Sequence, residues 1–132
     1  MWVILLATAL AGAPPRDEIG RVRTSAGMAG PGWGVWGDFS VNPAQRLAFR
    51  GGLELPIPLE LPRAYGLAEI LVGPYWLEGF FGGGGTLALQ DGLGWRVEAG
   101  IRPLIRWGTG IEFAVTWDGD LPNGRVGAWM AW

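Results

Sequence analysis

The chain has 132 residues, the length of one domain, and a formal net charge of −2 that provides no basic surface for nucleic acid. It contains 24 Gly, 10 Pro and 9 Trp; all ten basic residues are Arg, and there is no His and no Cys. Without imidazole or thiol groups, a Ser–His–Asp triad, a Cys/His metal site and a disulfide framework are excluded.

The first residues have the features of an export signal. Residues 1–13 form an apolar run that is too short to span a bilayer as a helix, which needs about 20 residues. Ala9-Leu10-Ala11 matches the A-x-A cleavage pattern, and two prolines follow, although no Lys or Arg precedes Arg16. We predict a signal peptide over residues 1–11, with residue 13 as the alternative end, and a β-barrel domain over 12–132. A buried first strand or helix is the other interpretation.

The remaining chain alternates with a period of two residues, which is typical of strands. In residues 47–55 and 95–107 the odd-numbered positions are mainly bulky and apolar, and the even-numbered positions are small or charged. Gly and Pro are too frequent for long helices. The pattern predicts eight strands, near residues 16–27, 31–41, 46–56, 64–73, 79–90, 94–103, 108–118 and 125–132. Within this series, the alternation of residues 67–76 allows either the odd-numbered or the even-numbered positions to be the apolar face. Prolines interrupt residues 56–62.

Three hairpins can be aligned so that apolar residues face apolar residues across the strands. A turn centred on Ala44 gives the facing pairs Phe39–Phe49, Asp38–Arg50 and Trp36–Gly52. An odd-numbered loop, 91–93 or 90–94, gives the pairs Leu89–Trp95 and Leu87–Val97. We prefer it to a two-residue Asp91-Gly92 turn, which would mix the faces. A loop over residues 119–124 gives the pairs Asp118–Arg125 and Trp117–Val126.

The two faces differ in a way that predicts which one is outside. The polar face is mainly Gly, Ala, Arg and Glu, which suits the filled interior of a narrow barrel. Tryptophans on the apolar face, near predicted strand ends, match the aromatic girdles of a membrane barrel; they are Trp33, Trp95, Trp107, Trp117 and Trp132. Strands of about ten residues are long enough to cross a bilayer when tilted. We predict an all-β, antiparallel, up-and-down transmembrane barrel with short loops.

A charge network is predicted inside this barrel, because a lone charge in a narrow interior is costly and must find a partner. The residues assigned to it are Asp38, Arg46, Arg50, Glu54, Arg96, Glu98, Arg102, Arg106, Glu112, Asp118 and Arg125. Glu98 and Glu112 could in principle form a catalytic carboxylate pair, but the surrounding arginines favour ion pairing. Trp36 and Trp129 also point to this face and add bulk.

The C-terminal segment carries a resemblance to a known family. The last residue is aromatic and the alternate residues before it are hydrophobic: Val126, Ala128, Met130 and Trp132. This segment resembles the C-terminal signal of bacterial outer-membrane β-barrel proteins. Together with the leader and the alternation, it makes the chain similar to the small eight-stranded barrels of the OmpA/OmpX-like class, by pattern only. Short loops and the proline-rich residues 56–62 depart from that class.

The resemblance implies a location in the bacterial outer membrane, contact with outer-membrane lipid, and recognition of the C-terminal strand by the barrel-assembly machinery. Enzymes of this class use a His-based site, which the chain lacks. We therefore expect a non-enzymatic monomer without cofactor, metal or nucleic acid, having a structural or interaction role and a plugged interior. The alternatives are a narrow pore or small-ligand-transporting barrel, and a secreted soluble barrel that binds an apolar ligand.

Overall fold

The computed structural model describes residues 22–30, 34–44, 46–56, 62–74, 76–88, 92–106, 108–118 and 122–132. The predicted signal peptide and its cleavage position lie outside these ranges, as do Trp33 and Trp107. No helix in the described ranges is long and apolar enough to span a membrane.

Eight antiparallel strands form a closed barrel in which each strand pairs with its neighbours in chain order and the last pairs with the first. The strands are β1 (Val22–Gly30), β2 (Gly34–Ala44), β3 (Leu47–Pro56), β4 (Arg63–Val72), β5 (Leu77–Ala88), β6 (Gly92–Arg106), β7 (Thr109–Trp117) and β8 (Pro122–Ala131). Closure leaves no sheet edge along the seam between β1 and β8. The predicted eight-stranded, up-and-down antiparallel fold is confirmed.

The apolar residues lie on the outside of the barrel and the charged residues lie inside. Phe39 and Leu53 are 60% and 58% exposed, whereas Trp36 and Trp129 are each 3% exposed in the interior. The predicted assignment of faces is therefore confirmed. This arrangement is the reverse of a water-soluble barrel, whose apolar side chains fill the core.

The two ends of the barrel can be distinguished by the chain termini. We call the end where β1 begins and β8 ends the turn end, and the opposite end the loop end. At the turn end the connections are short, and Arg46 in the β2–β3 turn has a φ of 61°. The longest connection, between Pro56 and Arg63, lies at the loop end and contains the predicted proline interruption.

The predicted pairing of the first hairpin is wrong by two residues. Ser40, not Asp38, lies opposite Arg50, and Val41 lies opposite Phe49. The facing pairs Phe39–Phe49, Asp38–Arg50 and Trp36–Gly52 are therefore absent from the ladder. The cause is an irregularity between Val41 and Ala44, which places extra residues of β2 before the turn.

The other two hairpins are also displaced by an even number of residues. Leu87 pairs with Leu93, so a loop with an odd number of residues is confirmed. Its predicted bounds, 91–93 or 90–94, are wrong because Gly92 and Leu93 belong to the ladder, and the pairs Leu89–Trp95 and Leu87–Val97 are wrong as well. Trp117 pairs with Pro122, and the pairs Asp118–Arg125 and Trp117–Val126 are wrong. An even displacement keeps every side chain on its face, so matching of faces alone cannot fix the register.

Inward-facing glycines on β5 allow β4 to approach closely. A Cβ atom on Gly84 would lie 1.9 Å from the carbonyl oxygen of Gly66, and one on Gly82 would lie 2.2 Å from that of Ala68. Outward-facing Gly66, by contrast, has open space at its Cβ position. The inward glycines therefore permit the strong curvature of a small barrel, where any side chain would strike the backbone.

Candidate functional site in the barrel interior

The interior charges within the described ranges can be divided into three groups, of which the first two are joined by a contact between Arg102 and Glu78. The turn-end pair is Arg23 and Glu78. The central cluster consists of Asp38, Arg50, Tyr65, Glu69, Glu98, Arg102, Glu112 and Arg125. The loop-end cluster consists of Glu54, Arg63, Arg96 and Asp118.

Arg50 is the hub of the central cluster, and its side chain is 1% exposed. Its Nε lies 3.2 Å from Oδ2 of Asp38, and its Nη1 lies 3.1 Å from Oε1 of Glu69 and 2.5 Å from Oε1 of Glu98. Its Nη2 donates to Glu112. A guanidinium carries five N–H donors, so this one side chain ties β3 to four other strands.

Two further arginines extend the cluster on either side of Arg50. Arg102 donates from Nε to Glu112 at 2.7 Å and from Nη2 to Glu69 at 3.0 Å. Its Nη1 also reaches Glu78 of the turn-end pair at 2.8 Å, which links the two groups. These contacts connect β6 to β4, β5 and β7 through charge-assisted hydrogen bonds.

Arg125 occupies the opposite side of the cluster. Its Nη1 donates to Oε2 of Glu98 at 2.7 Å, and its Nη2 lies 3.1 Å from both Oδ2 of Asp38 and the Tyr65 hydroxyl. The Tyr65 hydroxyl in turn donates to Asp38 at 2.6 Å. Asp38 and Arg50 are thus in contact although the ladder does not pair them, because diagonal neighbours on one face are within reach of long side chains.

The loop-end cluster is smaller and nearer to solvent. Arg96 makes a bidentate contact with Glu54, with both distances 2.8 Å, and a 2.7 Å contact with Asp118. Arg63 donates to the same Asp118 oxygen at 2.9 Å, and its side chain is 34% exposed. Two guanidiniums therefore face two carboxylates, and the group is balanced in charge.

Aromatic rings fill the space between the guanidiniums. Arg102 lies 3.8 Å from the ring centroid of Phe80, and Arg125 lies 3.9 Å from that of Trp36. Similar contacts at 4.7 Å join Arg23 to Trp129 and Arg96 to Tyr65. Stacking over a ring face stabilises a desolvated cation and excludes water. Ions and rings together pack the interior along its length.

Nine of the eleven predicted network residues take part in these contacts. Arg46 lies half-buried at the turn end, and Arg106 is exposed at the end of β6. The prediction missed Arg23, Arg63, Tyr65, Glu69 and Glu78. Glu69 lies within residues 67–76, whose alternation fits either parity, and Arg63 and Glu78 each lie one residue before the predicted strands 64–73 and 79–90. Arg23 and Tyr65 lie within the predicted strands 16–27 and 64–73 but were not assigned to the network.

Within the described ranges, no group of three His, Cys, Asp or Glu side chains is arranged to hold a metal ion. A cavity of about 200 Å³ lies at the loop end, with Glu54, Arg63 and Asn123 among its lining residues. A small solute could enter this cavity from the loop end.

Exposed tryptophans mark both ends of the outer surface. Trp95 and Trp117 lie at the loop end, and Trp132, which is 72% exposed, lies at the turn end. Trp76, which the sequence analysis did not select, is exposed at the turn end as well. The C-terminal residues Val126, Ala128, Met130 and Trp132 all face outward, as their alternation predicts.

No protein-family model and no curated protein matches the chain. Solved structures with the same fold include two de novo designed proteins. One, described as "De novo design of transmembrane beta-barrels", has a TM-score of 0.80 at 11% identity and covers 90% of this chain and 100% of its own. The other, "Solution NMR structure of de novo designed TMB2.3", has a TM-score of 0.74 at 14% identity and covers 87% and 96%. At these identities the likeness concerns the fold alone.

Proposed function

We propose that the protein is a membrane-spanning β-barrel with a structural or interaction role, without enzymatic activity and with a closed interior. The observation that carries this proposal is the reversed distribution of residue types. Large apolar side chains cover the outside, and ten of the fifteen charged residues in the described ranges are buried inside. Such a surface is unfavourable in water and favourable in lipid. The fold shared with designed transmembrane barrels supports the same environment.

The bacterial outer membrane is the proposed location. The support comes from the sequence: an export signal over residues 1–11 and a C-terminal strand resembling the signal read by the barrel-assembly machinery. The chain also resembles the small eight-stranded OmpA/OmpX-like class in pattern. We propose that the barrel acts there as a monomer in contact with outer-membrane lipid.

A plugged interior is the reason for proposing a structural or interaction role. The central cluster ties seven strands together when the Arg102–Glu78 contact is included, and aromatic rings occupy the gaps between its ions. A solute crossing the barrel would have to break several buried ion pairs, each of which leaves a charge without a partner. The closed interior therefore favours a structural or interaction role, in which the barrel acts through its surface, over a role in transport.

A narrow pore is the second candidate, and the loop-end cavity is the observation that favours it. That cavity brings solvent to Glu54 and Arg63, which would select solutes by charge if the central cluster opened. The apolar-ligand alternative has less support, since the interior is lined by ions where such a ligand would need an apolar cavity.

Fractionation of the expressed protein tests the proposal. We expect the chain in the outer-membrane fraction of a Gram-negative host, with a folded form that migrates differently from the heated form on a cold gel. A chain truncated before Val126 is a negative control: it lacks the proposed assembly signal and most of β8, which closes the barrel, so it should not reach that fraction folded. A soluble wild-type protein with no shift on heating would contradict the proposal.

A further inference from the structure

The loop-end cavity lies inside the mouth of the barrel. Its lining residues belong to β8, β1, β2, β3 and β4, five strands that follow one another around the wall. Space is present because two inward-facing positions carry small residues, Ala29 on β1 and Gly34 on β2, which lie opposite each other in the ladder. Towards the barrel centre, the next inward residues on β2 and β8 are Trp36 and Arg125, each 3% exposed, with the guanidinium 3.9 Å from the ring centroid. Packed side chains therefore bound the cavity on its inner side.

Arg63 places a guanidinium with unused donors on the wall of this cavity. Its Nη1 donates to Asp118 at 2.9 Å, and Asp118 is its one ion-pair partner among the residues that the structure describes. A guanidinium has five N–H groups, so most of the donors of Arg63 remain available. Its side chain is 34% exposed, whereas that of Arg96 in the same cluster is 1% exposed. Arg63 is therefore the arginine that an incoming carboxylate can reach, and two of its N–H groups suit the two oxygens of such a group.

Glu54 places a carboxylate on the same wall. It lies directly opposite Arg63 in the β3–β4 ladder, but its two oxygens accept from Arg96, at 2.8 Å each. Its side chain is 18% exposed and each carboxylate oxygen can accept a second hydrogen bond, so Glu54 can also receive a donor from the cavity. An anion that bound Arg63 would be repelled by Glu54, and a cation that bound Glu54 would be repelled by Arg63. A molecule that carries both charges avoids either repulsion.

Asn123 faces this charged wall from the opposite side of the mouth. It lies on β8, which is four strands from β4 in either direction around the barrel. Its side chain is half-buried and carries an amide that both donates and accepts hydrogen bonds. The cavity volume of about 200 Å³ is below the roughly 300–1,000 Å³ of sites for drug-sized ligands, so it fits a molecule of few atoms.

We propose that the loop-end cavity binds a small zwitterion of the amino-acid class. The carboxylate of this ligand binds Arg63, its ammonium group binds Glu54, and the Asn123 amide adds a hydrogen bond from the opposite strand. Ala29 and Gly34 leave room for a short side chain. The proposal goes beyond the structural or interaction role of the barrel. It depends neither on the outer membrane nor on a closed interior, so the two proposals can fail separately.

NMR titration of the full folded barrel in uncharged detergent with L-alanine tests the site. Propionate and ethylammonium are the matched probes, because each keeps one charge of alanine and lacks the other. We expect alanine to bind with a dissociation constant on the order of 1 mM, as for a ligand of so few atoms, and each single-charge probe to bind at least about tenfold more weakly. A single-charge probe that binds as tightly as alanine would overturn the proposal.

Two side-chain amides report where alanine binds. The amide signal of Asn123 should shift as alanine is added. The signal of Asn42, which is buried near the turn-end limit of β2, should stay fixed. Shifts of both signals, or of neither, would overturn the assignment of the site.

Variants separate the charged wall from the rest of the barrel. Arg63→Gln removes the partner of the carboxylate and should weaken alanine binding at least about tenfold. Arg106→Gln, at an exposed arginine of the turn end, is the matched control and should bind alanine as the wild type does. Ala29→Leu fills the cavity without removing an ion pair, so it should abolish binding even if Arg63→Gln does not fold. Binding that survives Ala29→Leu, or that falls as much in Arg106→Gln as in Arg63→Gln, would overturn the proposal.

Discussion

At the scale of single residues, Arg50 carries the largest share of the interior contacts. Arg50→Ala removes the cation that faces four carboxylates, so the acids are left closer to one another without compensation. We expect a loss of about 3–5 kcal/mol in the free energy of unfolding. The double variant Asp38→Ala/Arg50→Ala should cost less than the sum of the single changes, because the two side chains are in contact. Denaturant titration in detergent measures the free energy of unfolding of the two single variants and the double variant. Strictly additive losses would show that the Asp38–Arg50 contact does not contribute to stability.

Trp132 is the second residue with a separable role. Its backbone N–H donates to Val22 at 2.8 Å, and its indole Nε1 donates to the Thr24 hydroxyl at 3.0 Å, both across the β1–β8 seam. Trp132→Ala keeps the backbone bond and loses one exposed side-chain bond, worth about 0.5–1.5 kcal/mol. Refolding in detergent should therefore be nearly normal, while the folded amount in the outer membrane should fall.

Thr24→Val supplies the control for Trp132, because it removes the same indole contact and leaves the terminal aromatic residue in place. It should assemble in cells as the wild type does. If Trp132→Ala lowers the folded amount as much in detergent as it does in cells, Trp132 is an ordinary packing residue and is not part of an assembly signal.

At the scale of elements, the curvature of β5 depends on its inward glycines. Gly84→Ala would place a methyl group 1.9 Å from the Gly66 carbonyl oxygen, so the backbones of β4 and β5 must move apart. We expect a loss of about 1–3 kcal/mol, the range found for overpacked positions. Gly66→Ala, on the neighbouring strand but facing outward into open space, should change the free energy of unfolding much less. Equal losses for the two variants would contradict a role for close backbone approach.

The elements also show where sequence reasoning reached its limit. Alternation was sufficient for the strand count, for both faces and for nine of the predicted interior charges, because a period of two is set by the pleat itself. It could not fix the register, since a shift of two residues returns Arg50 to the same face but to a different partner. The β2 irregularity between Val41 and Ala44 has no signature in the alternation, and Glu69 was missed because β4 fits both parities.

At the scale of the whole molecule, the packed interior predicts that the barrel does not conduct. The clusters span the barrel from Arg23 and Glu78 at the turn end to Arg63 at the loop end, with rings between the ions. Purified protein in planar bilayers should therefore show no steady, charge-selective current. The Arg50→Ala variant, if it remains folded, is the informative comparison, because it removes the side chain that makes the most ion pairs in the central cluster. A steady wild-type current would contradict the closed barrel. If the Arg102→Glu variant stayed folded and conducted with a different ion preference, the narrow pore would be the better interpretation.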